Sequence, residues 1–171
     1  MNQMKRTTLC YIRNNGKWLM LYRNRKPNDP NEGKWLGIGG KIEQNETPDA
    51  CNCREVLEET GLCLKSAQFH GVIRFRASDY EDEDMYLYSS EDFEPLNDGA
   101  RQSFLETGEY DPPVCSEGEL KWIPEDQLMN LPMWEGDRAF LERILDGCQE
   151  ISMTLRYEGE KCVMVEAASL L

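Results

Sequence analysis

Histidine is almost missing: His70 is the only one in 171 residues. That argues against an imidazole-based catalytic triad or a metal site made of several histidines, and His70 itself is read as a strand-start or surface residue. Positive charge is also scarce, with 19 Lys and Arg against 32 Asp and Glu and a net charge of −13. A nucleic-acid polyanion or an acidic membrane is a poor partner for such a chain. A small anionic nucleotide stays admissible, because bound cations invert the local charge. No apolar run reaches membrane-spanning length, and the opening M-N-Q-M-K-R-T-T leads into a strand-like segment, not a signal-peptide core. Zinc-type C-x-x-C pairs are lacking. The seven cysteines are an odd number, and Cys51 and Cys53, two apart on a helix, point in different directions. Free thiols in a reducing cytoplasm are the expectation. With no repeat, linker or low-complexity tail, residues 1–171 are expected to form one domain with a full core.

What the chain does contain is a dense pattern from Gly40 to Leu62. Five residues separate Gly40 from Glu46, and seven separate Glu46 from Arg54. Glu55, Val56, Glu58, Glu59, Gly61 and Leu62 follow. Thr47 is a good N-cap, Pro48 suits the first helical position, and Gly61 suits a left-handed stop. A helix is therefore expected from about Pro48 to Thr60. Glu55, Glu58 and Glu59 then share one exposed face, while Ala50, Cys53, Val56 and Leu57 can be buried. Clustered carboxylates repel one another and nothing in helix stability asks for them. A hard divalent cation does, since Mg²⁺ takes a few carboxylates and keeps phosphate oxygens and water in its other positions.

Elsewhere, Thr7–Ile12 and Lys17–Tyr22 flank Asn15-Gly16, a hairpin signal. The polar stretch Arg23–Glu32, with Pro27 and Pro30, reads as a loop, and Lys34–Ile38 as a short strand. Leu64–Arg76 and Met85–Tyr88 read as partner strands around a charged loop, Ser78–Asp84. Ser89–Asp111 is acidic and weakly patterned, and reads as a long surface excursion. Leu120–Ile123 reads as a strand and Pro124–Leu128 as a turn of helix. A second helix is expected over Gly136–Asp146, burying Phe140, Leu141, Ile144 and Leu145, with Gly147 as its stop. Ile151–Val165 reads as a hairpin turning at Glu158-Gly159. Strands interrupted by two substantial helices fit an α/β fold with a mixed sheet between helices.

The pattern G-x5-E-x7-R-E-U-x-E-E-x-G-U, U being aliphatic, resembles the box of the Nudix hydrolases at nine positions over 23 residues. The resemblance implies an α/β/α sandwich and hydrolysis of nucleoside diphosphate derivatives with Mg²⁺ or Mn²⁺. It assigns Glu55, Glu58 and Glu59 as metal ligands, with Glu55 also a candidate base for the attacking water and Gly39 lending a backbone carbonyl. Arg54 would orient the carboxylates, Glu46 would hold the loop–helix junction, and Lys41 and Arg23 would serve phosphate and loop. One more acid from a downstream loop is placed at Glu117, with Glu119 as the rival. Beyond the box, Thr8, Arg23, Trp35 and W-I-P-E-D-Q-L…P-M-W-E-G-D at 122–137 are similar to the MutT-related 8-oxo-dGTP diphosphatases. That branch implies Trp134 stacking on a purine, Asp137 bonding its edge, and Thr8 and Phe75 lining the pocket; the alternative for Trp134 is a core anchor. Leu36 stands where the eukaryotic relatives have a base-contacting asparagine, and Gly136-Asp137 where they have two aspartates. The expected reaction releases nucleoside monophosphate and pyrophosphate, on an oxidised purine such as 8-oxo-dGTP. ADP-ribose or dihydroneopterin triphosphate is the alternative substrate, and a non-catalytic sensor is disfavoured. The expected partner is a small nucleotide, with no nucleic acid or membrane, and the chain is a monomer or homodimer.

Overall fold

The computed structural model describes residues 4–167. Residues 1–3, part of the segment read above as no signal peptide, and residues 168–171, the end of the expected single domain, lie outside the described residues. The first hairpin is β1 (Lys5–Asn14) and β2 (Lys17–Arg23). Asn15 and Gly16 both take positive φ, 50° and 73°, as a two-residue turn matched to strand twist demands. Two short strands follow, β3 (Trp35–Leu36) and β4 (Ile38–Lys41). The single strand expected over Lys34–Ile38 is broken at Gly37, where a Cβ would lie 3.0 Å from the Cys10 carbonyl oxygen. Then come helix α1 (Pro48–Thr60), β5 (Leu62–Ala77), β6 (Glu83–Pro95), α2 (Asp98–Thr107), β7 (Gly118–Pro124), α3 (Glu125–Leu128), α4 (Glu135–Leu145), β8 (Met153–Glu158) and β9 (Lys161–Ala167).

The strands join in one mixed sheet ordered β3-β2-β1-β6-β5-β8-β9, with β4 also paired to β1 and β7 to β2. β1/β6 and β5/β8 are parallel; the other pairs are antiparallel. Alternation along β1 divides the core in two. Cys10 and Ile12 pack with Val56 of α1, and Leu9 and Tyr11 with Phe140 and Leu141 of α4. Helices thus cover both faces of the sheet, an α/β sandwich.

Several expectations are corrected. Ser89–Asp111 is not an excursion: β6 runs on to Pro95 and α2 follows. Asn97 caps α2 by accepting from the Ala100 N–H, and Gly108 ends it with φ 72°. Phe104 packs its ring 5.5 Å from that of Phe93, and the side-chain amides of Asn14 and Asn15 donate to the Gly108 carbonyl at the end of the helix, contacts absent from any local pattern. His70 is neither a strand start nor a surface residue. It is buried within β5, its ring nitrogens 2.9 Å from the Gln149 carbonyl oxygen and 2.7 Å from Ser89 Oγ. On α1 the buried side chains are Cys51, Asn52, Val56 and Thr60, while Ala50 and Cys53 are exposed and Leu57 is half-buried. The helix is rotated so that Cys51 meets β1. On α4, Phe140 and Leu141 are buried as expected, and Ile144 and Leu145 only half-buried.

Candidate active site

Thr47 Oγ1 accepts the Ala50 N–H at 3.1 Å, and Gly61, at φ 75°, donates its N–H to the Leu57 carbonyl. These caps fix the start of α1 beside β4, and the rest of the site follows from that placement. Arg54 grips Glu46 with two bonds, Nε to Oε2 at 2.7 Å and Nη2 to Oε1 at 2.9 Å. The same guanidinium donates to Glu55 Oε1 at 2.9 Å, to Glu58 Oε2 at 3.2 Å and to the Lys41 carbonyl at 3.1 Å. A planar fork with five donors can do this; a lysine could not. The Arg54 bonds hold the Glu46 carboxyl down at about 2, helped by the Glu43 N–H. Arg54 therefore ties the β4–α1 loop to the acidic helix face, where the sequence places it.

The three helical carboxylates are not equivalent, which corrects the single exposed face. Glu58 is 57% exposed. Glu55 turns inward, and a Cβ on Gly40 would lie 2.4 Å from its carboxyl carbon. Only glycine lets that carboxylate rest on the backbone. Burial raises the Glu55 pKa, with Arg54 opposing. Glu59 is deeper still, and its Oε2 is buried with no hydrogen-bond partner among the described residues. Its carboxyl is pushed up to about 9, first by burial, then by the charges of Glu117 and Glu55, with Arg23 opposing. Gly39 pairs with Leu9 so tightly that a Cβ there would lie 1.8 Å from the Thr8 carbonyl oxygen.

Glu117 arrives from the turn just before β7 and accepts from Arg23 Nη1 at 3.1 Å, while Arg23 Nε donates to Asp29 at 2.7 Å. Arg23 thus bridges two carboxylates. Glu119, the rival, stands 3.9 Å from Lys121 Nζ and does not border the cavity described next. Among the described residues no three His, Cys, Asp or Glu side chains already close on one ion-sized point. The donor set nonetheless fits a hard divalent cation: all oxygen, with an unpaired buried carboxylate oxygen at Glu59 and a backbone groove kept open by Gly39 and Gly40.

A cavity of about 560 Å³ runs from Glu55, Glu59 and Glu117 at one end to Phe75, Trp134 and Asp137 at the other. Lys41, Arg23 and Leu36 border it; Arg54, Glu46 and Glu58 do not. Trp134 precedes α4, donates Nε1–H to Asn31 Oδ1 at 2.8 Å, and meets Tyr157 edge-on with centroids 5.5 Å apart. Lys34 Nζ lies over its ring, 4.3 Å from the centroid. Trp134 is thus both anchored and part of the wall. Asp137, in the first turn of α4, is 5% exposed. Its carboxyl is pushed up to about 7 by burial and then by the charge of Glu83, with Lys34 opposing. Thr8 borders the cavity, but its hydroxyl turns to α1 and lies 3.5 Å from Cys51 Sγ. Alternation gives the α4 side to Thr7 instead. Thr7, Asn31 and Glu83 line the cavity and were missed by the sequence reading. Period-two counting from Met85 would have found Glu83; nothing local marks Asn31.

The family model described as the NUDIX domain matches residues 3–144. The protein named Uncharacterized Nudix hydrolase YvcI, from Bacillus subtilis (strain 168), is 26% identical over 164 residues, spanning 94% of this chain and 91% of its own length. The oxidized purine nucleoside triphosphate hydrolase of Danio rerio is 29% identical over 106 residues, 61% of this chain and 58% of its own. The crystal structure of a MutT protein from Bacillus halodurans superposes with a TM-score of 0.77 at 22% identity, covering 96% of this chain and 97% of that one.

Proposed function

The chain belongs to the Nudix family of hydrolases, and from that premise we propose that it is a divalent-cation-dependent nucleoside triphosphate diphosphatase acting on purine nucleotides, oxidised ones such as 8-oxo-dGTP included. The observation that carries the reading is the single cavity with carboxylates at one end and an aromatic wall with a buried acid at the other. A triphosphate is acidic at one end and presents a π-face and hydrogen-bonding edge at the other. The fish relative's name supports the oxidised-purine part.

Glu55, Glu58, Glu59 and Glu117, with the Gly39 carbonyl, would hold Mg²⁺ or Mn²⁺. When bound, the cation neutralises phosphate charge and makes water acidic enough to supply hydroxide near neutral pH. Glu55 would take the proton of the attacking water. Water's oxygen joins phosphorus, the bond to the oxygen bridging the α and β phosphates breaks, and nucleoside monophosphate and pyrophosphate leave. Arg54 orients Glu55 and Glu58 through the bonds described, while Lys41 and Arg23 border the phosphate path. Trp134 offers the purine a platform, Phe75 an apolar wall, and Asp137 a hydrogen-bonding group at the base edge. Thr8 borders the cavity wall.

We read the chain as one working domain, supported by a single sheet that joins Lys5 to Ala167. All seven cysteines are unpaired, which suits a reducing cytoplasm. Among the described residues no helix is long and apolar enough to cross a membrane. The test is product analysis over 8-oxo-dGTP, dGTP, dATP, dihydroneopterin triphosphate and ADP-ribose with Mg²⁺. Monophosphate and pyrophosphate from the purine triphosphates are expected. AMP and ribose phosphate from ADP-ribose alone would refute the reading.

A further inference from the structure

The loop over residues 24–34 reaches both ends of the cavity. Asp29 sits near its middle with its side chain 3% exposed, and it does not itself border the cavity. Its Oδ2 accepts from Arg23 Nε at 2.7 Å, and its Oδ1 accepts the Asn31 backbone N–H at 3.0 Å. Arg23, on the cavity wall, donates Nη1 to Glu117 Oε2 at 3.1 Å. Asn31, also on the wall, accepts the Trp134 Nε1–H on Oδ1 at 2.8 Å. One chain of bonds therefore runs from Glu117 through Arg23, Asp29 and Asn31 to Trp134, from the carboxylate end to the aromatic end. Backbone bonds stiffen it: the Arg23 N–H to the Lys34 carbonyl at 3.0 Å, the Gly33 N–H to the Arg23 carbonyl at 2.8 Å, and the Lys34 N–H to the Asn31 carbonyl at 3.0 Å.

We propose that Asp29 is a positioning residue that sets both ends of the cavity at once: it aims Arg23 at Glu117 and, through Asn31, holds the Trp134 ring in the wall. This rests on the cation-dependent reading above and adds to it a side chain that touches neither cation nor nucleotide. A free arginine carries about 2 kcal/mol of rotamer entropy and a fork able to clamp one carboxylate with two bonds. Loose beside Glu117, it would compete with a cation for that carboxylate. Asp29 holds Nε, so Arg23 meets Glu117 with one bond and from a fixed position. Outer partners of this kind orient ligating carboxylates and so tune affinity for the ion. On the other arm Asp29 fixes the Asn31 backbone, whose side chain holds the indole N–H. Lys34, from the same loop, lies over the Trp134 ring. Alanine in place of Asp29 leaves both the Arg23 Nε–H and the Asn31 N–H without their acceptor. Asparagine keeps the shape but has one accepting oxygen, so one of the two donors must face its amide N–H₂.

The test uses two readouts on the full chain without nucleotide, for wild type, Asp29→Ala and Asp29→Asn, each checked by a thermal melt. The first is Mn²⁺ titration followed by the electron paramagnetic resonance of the free ion. The second is Trp134 emission, isolated in each background by subtracting the spectrum of the same protein carrying Trp134→Phe. Asp29→Ala should raise the Kd for Mn²⁺ at least about fivefold, and should shift Trp134 emission to the red with stronger quenching by acrylamide. Asp29→Asn should move at least one of the two, and carries the test alone if the alanine variant does not fold. A folded Asp29→Ala that moves only one readout, or a folded Asp29→Asn that moves neither, overturns the proposal; a residue that merely stabilised the loop would lower Tm and leave both unmoved. Wild type that takes up no Mn²⁺ refutes the cation-dependent reading and this proposal with it. Triphosphate hydrolysis is assayed apart, so that Mn²⁺ uptake without cleavage refutes the hydrolase reading and not this one.

Discussion

Replacing Glu59 by glutamine should make the protein more stable and nearly inactive. Glu59 sits at the inner end of the cavity with one carboxylate oxygen buried and unpaired, and its pKa rises from 4.5 to about 9. The folded state therefore holds the proton more tightly than the unfolded chain. The stability this group contributes is complete below pH 4.5 and is lost as pH rises towards about 9. At 1.36 kcal/mol per pH unit, the loss between about pH 4.5 and 7 comes to at most about 3 kcal/mol. Glutamine carries no charge at any of these pH values and escapes that loss. For a chain of this size about 3 kcal/mol corresponds to a Tm rise of roughly 6–12 °C, and the unpaired amide will reduce it to several degrees. Melts of both proteins in EDTA should show the gap near pH 8 and its disappearance near about pH 5. In Mg²⁺, kcat of the variant should fall by about a hundredfold or more, roughly 3 kcal/mol in barrier. A variant no more stable than wild type near about pH 8 refutes the burial argument. An active one refutes the ligand role.

Three further outcomes are expected. Gly40→Ala puts a Cβ 2.4 Å from the Glu55 carboxyl carbon, so kcat should drop at least about tenfold with the melt little changed; full activity would show that Glu55 need not lie against the backbone. Trp134→Ala should raise KM for dGTP by roughly 1–3 kcal/mol of lost stacking; an unchanged KM with a lowered Tm would make the tryptophan a core anchor only. Activity should vanish in EDTA and return with Mg²⁺ or Mn²⁺. Because burial raises the pKa of Glu55 and Glu59, both must give up protons to bind a cation. The Mg²⁺ concentration for half-maximal rate should therefore fall as pH rises from about 6 to about 9; a flat titration would contradict this.

The features legible in the sequence are those decided within one turn of chain. Thr47, Pro48 and Gly61 set both ends of α1, Asn15-Gly16 set the first hairpin, and Gly147 ended α4, because capping and positive φ are local demands. The i,i+4 spacing of Arg54 and Glu58 likewise held, since α-helical periodicity needs no partner, whereas the bonds from Arg54 to Glu46 needed the loop before α1 to fold back onto the helix. Everything that depended on which way a strand faced, or on what a helix met, waited for the tertiary structure. Thr7 and Thr8 are neighbours with similar chemistry, and only the pairing of β1 assigns one hydroxyl to α4 and the other to Cys51. Glu117 and Glu119 are both acids before a strand tryptophan, yet only Glu117 comes within reach of Arg23 and the cavity. The α2 helix carries no buried residue of its own and rests on Phe104 against Phe93 and on the Asn14 and Asn15 amides at Gly108, contacts that spacing cannot announce. His70 became an interior residue because it sits at a bulge of β5 against β6 and the segment after α4 closes over it, with the Ile151 N–H bonding its carbonyl and its ring meeting the Gln149 carbonyl. The unequal burial of Glu55, Glu58 and Glu59 has the same origin. Helical spacing puts them on one side, but only the sheet beneath α1 sets how much water each one keeps, and that sets its charge.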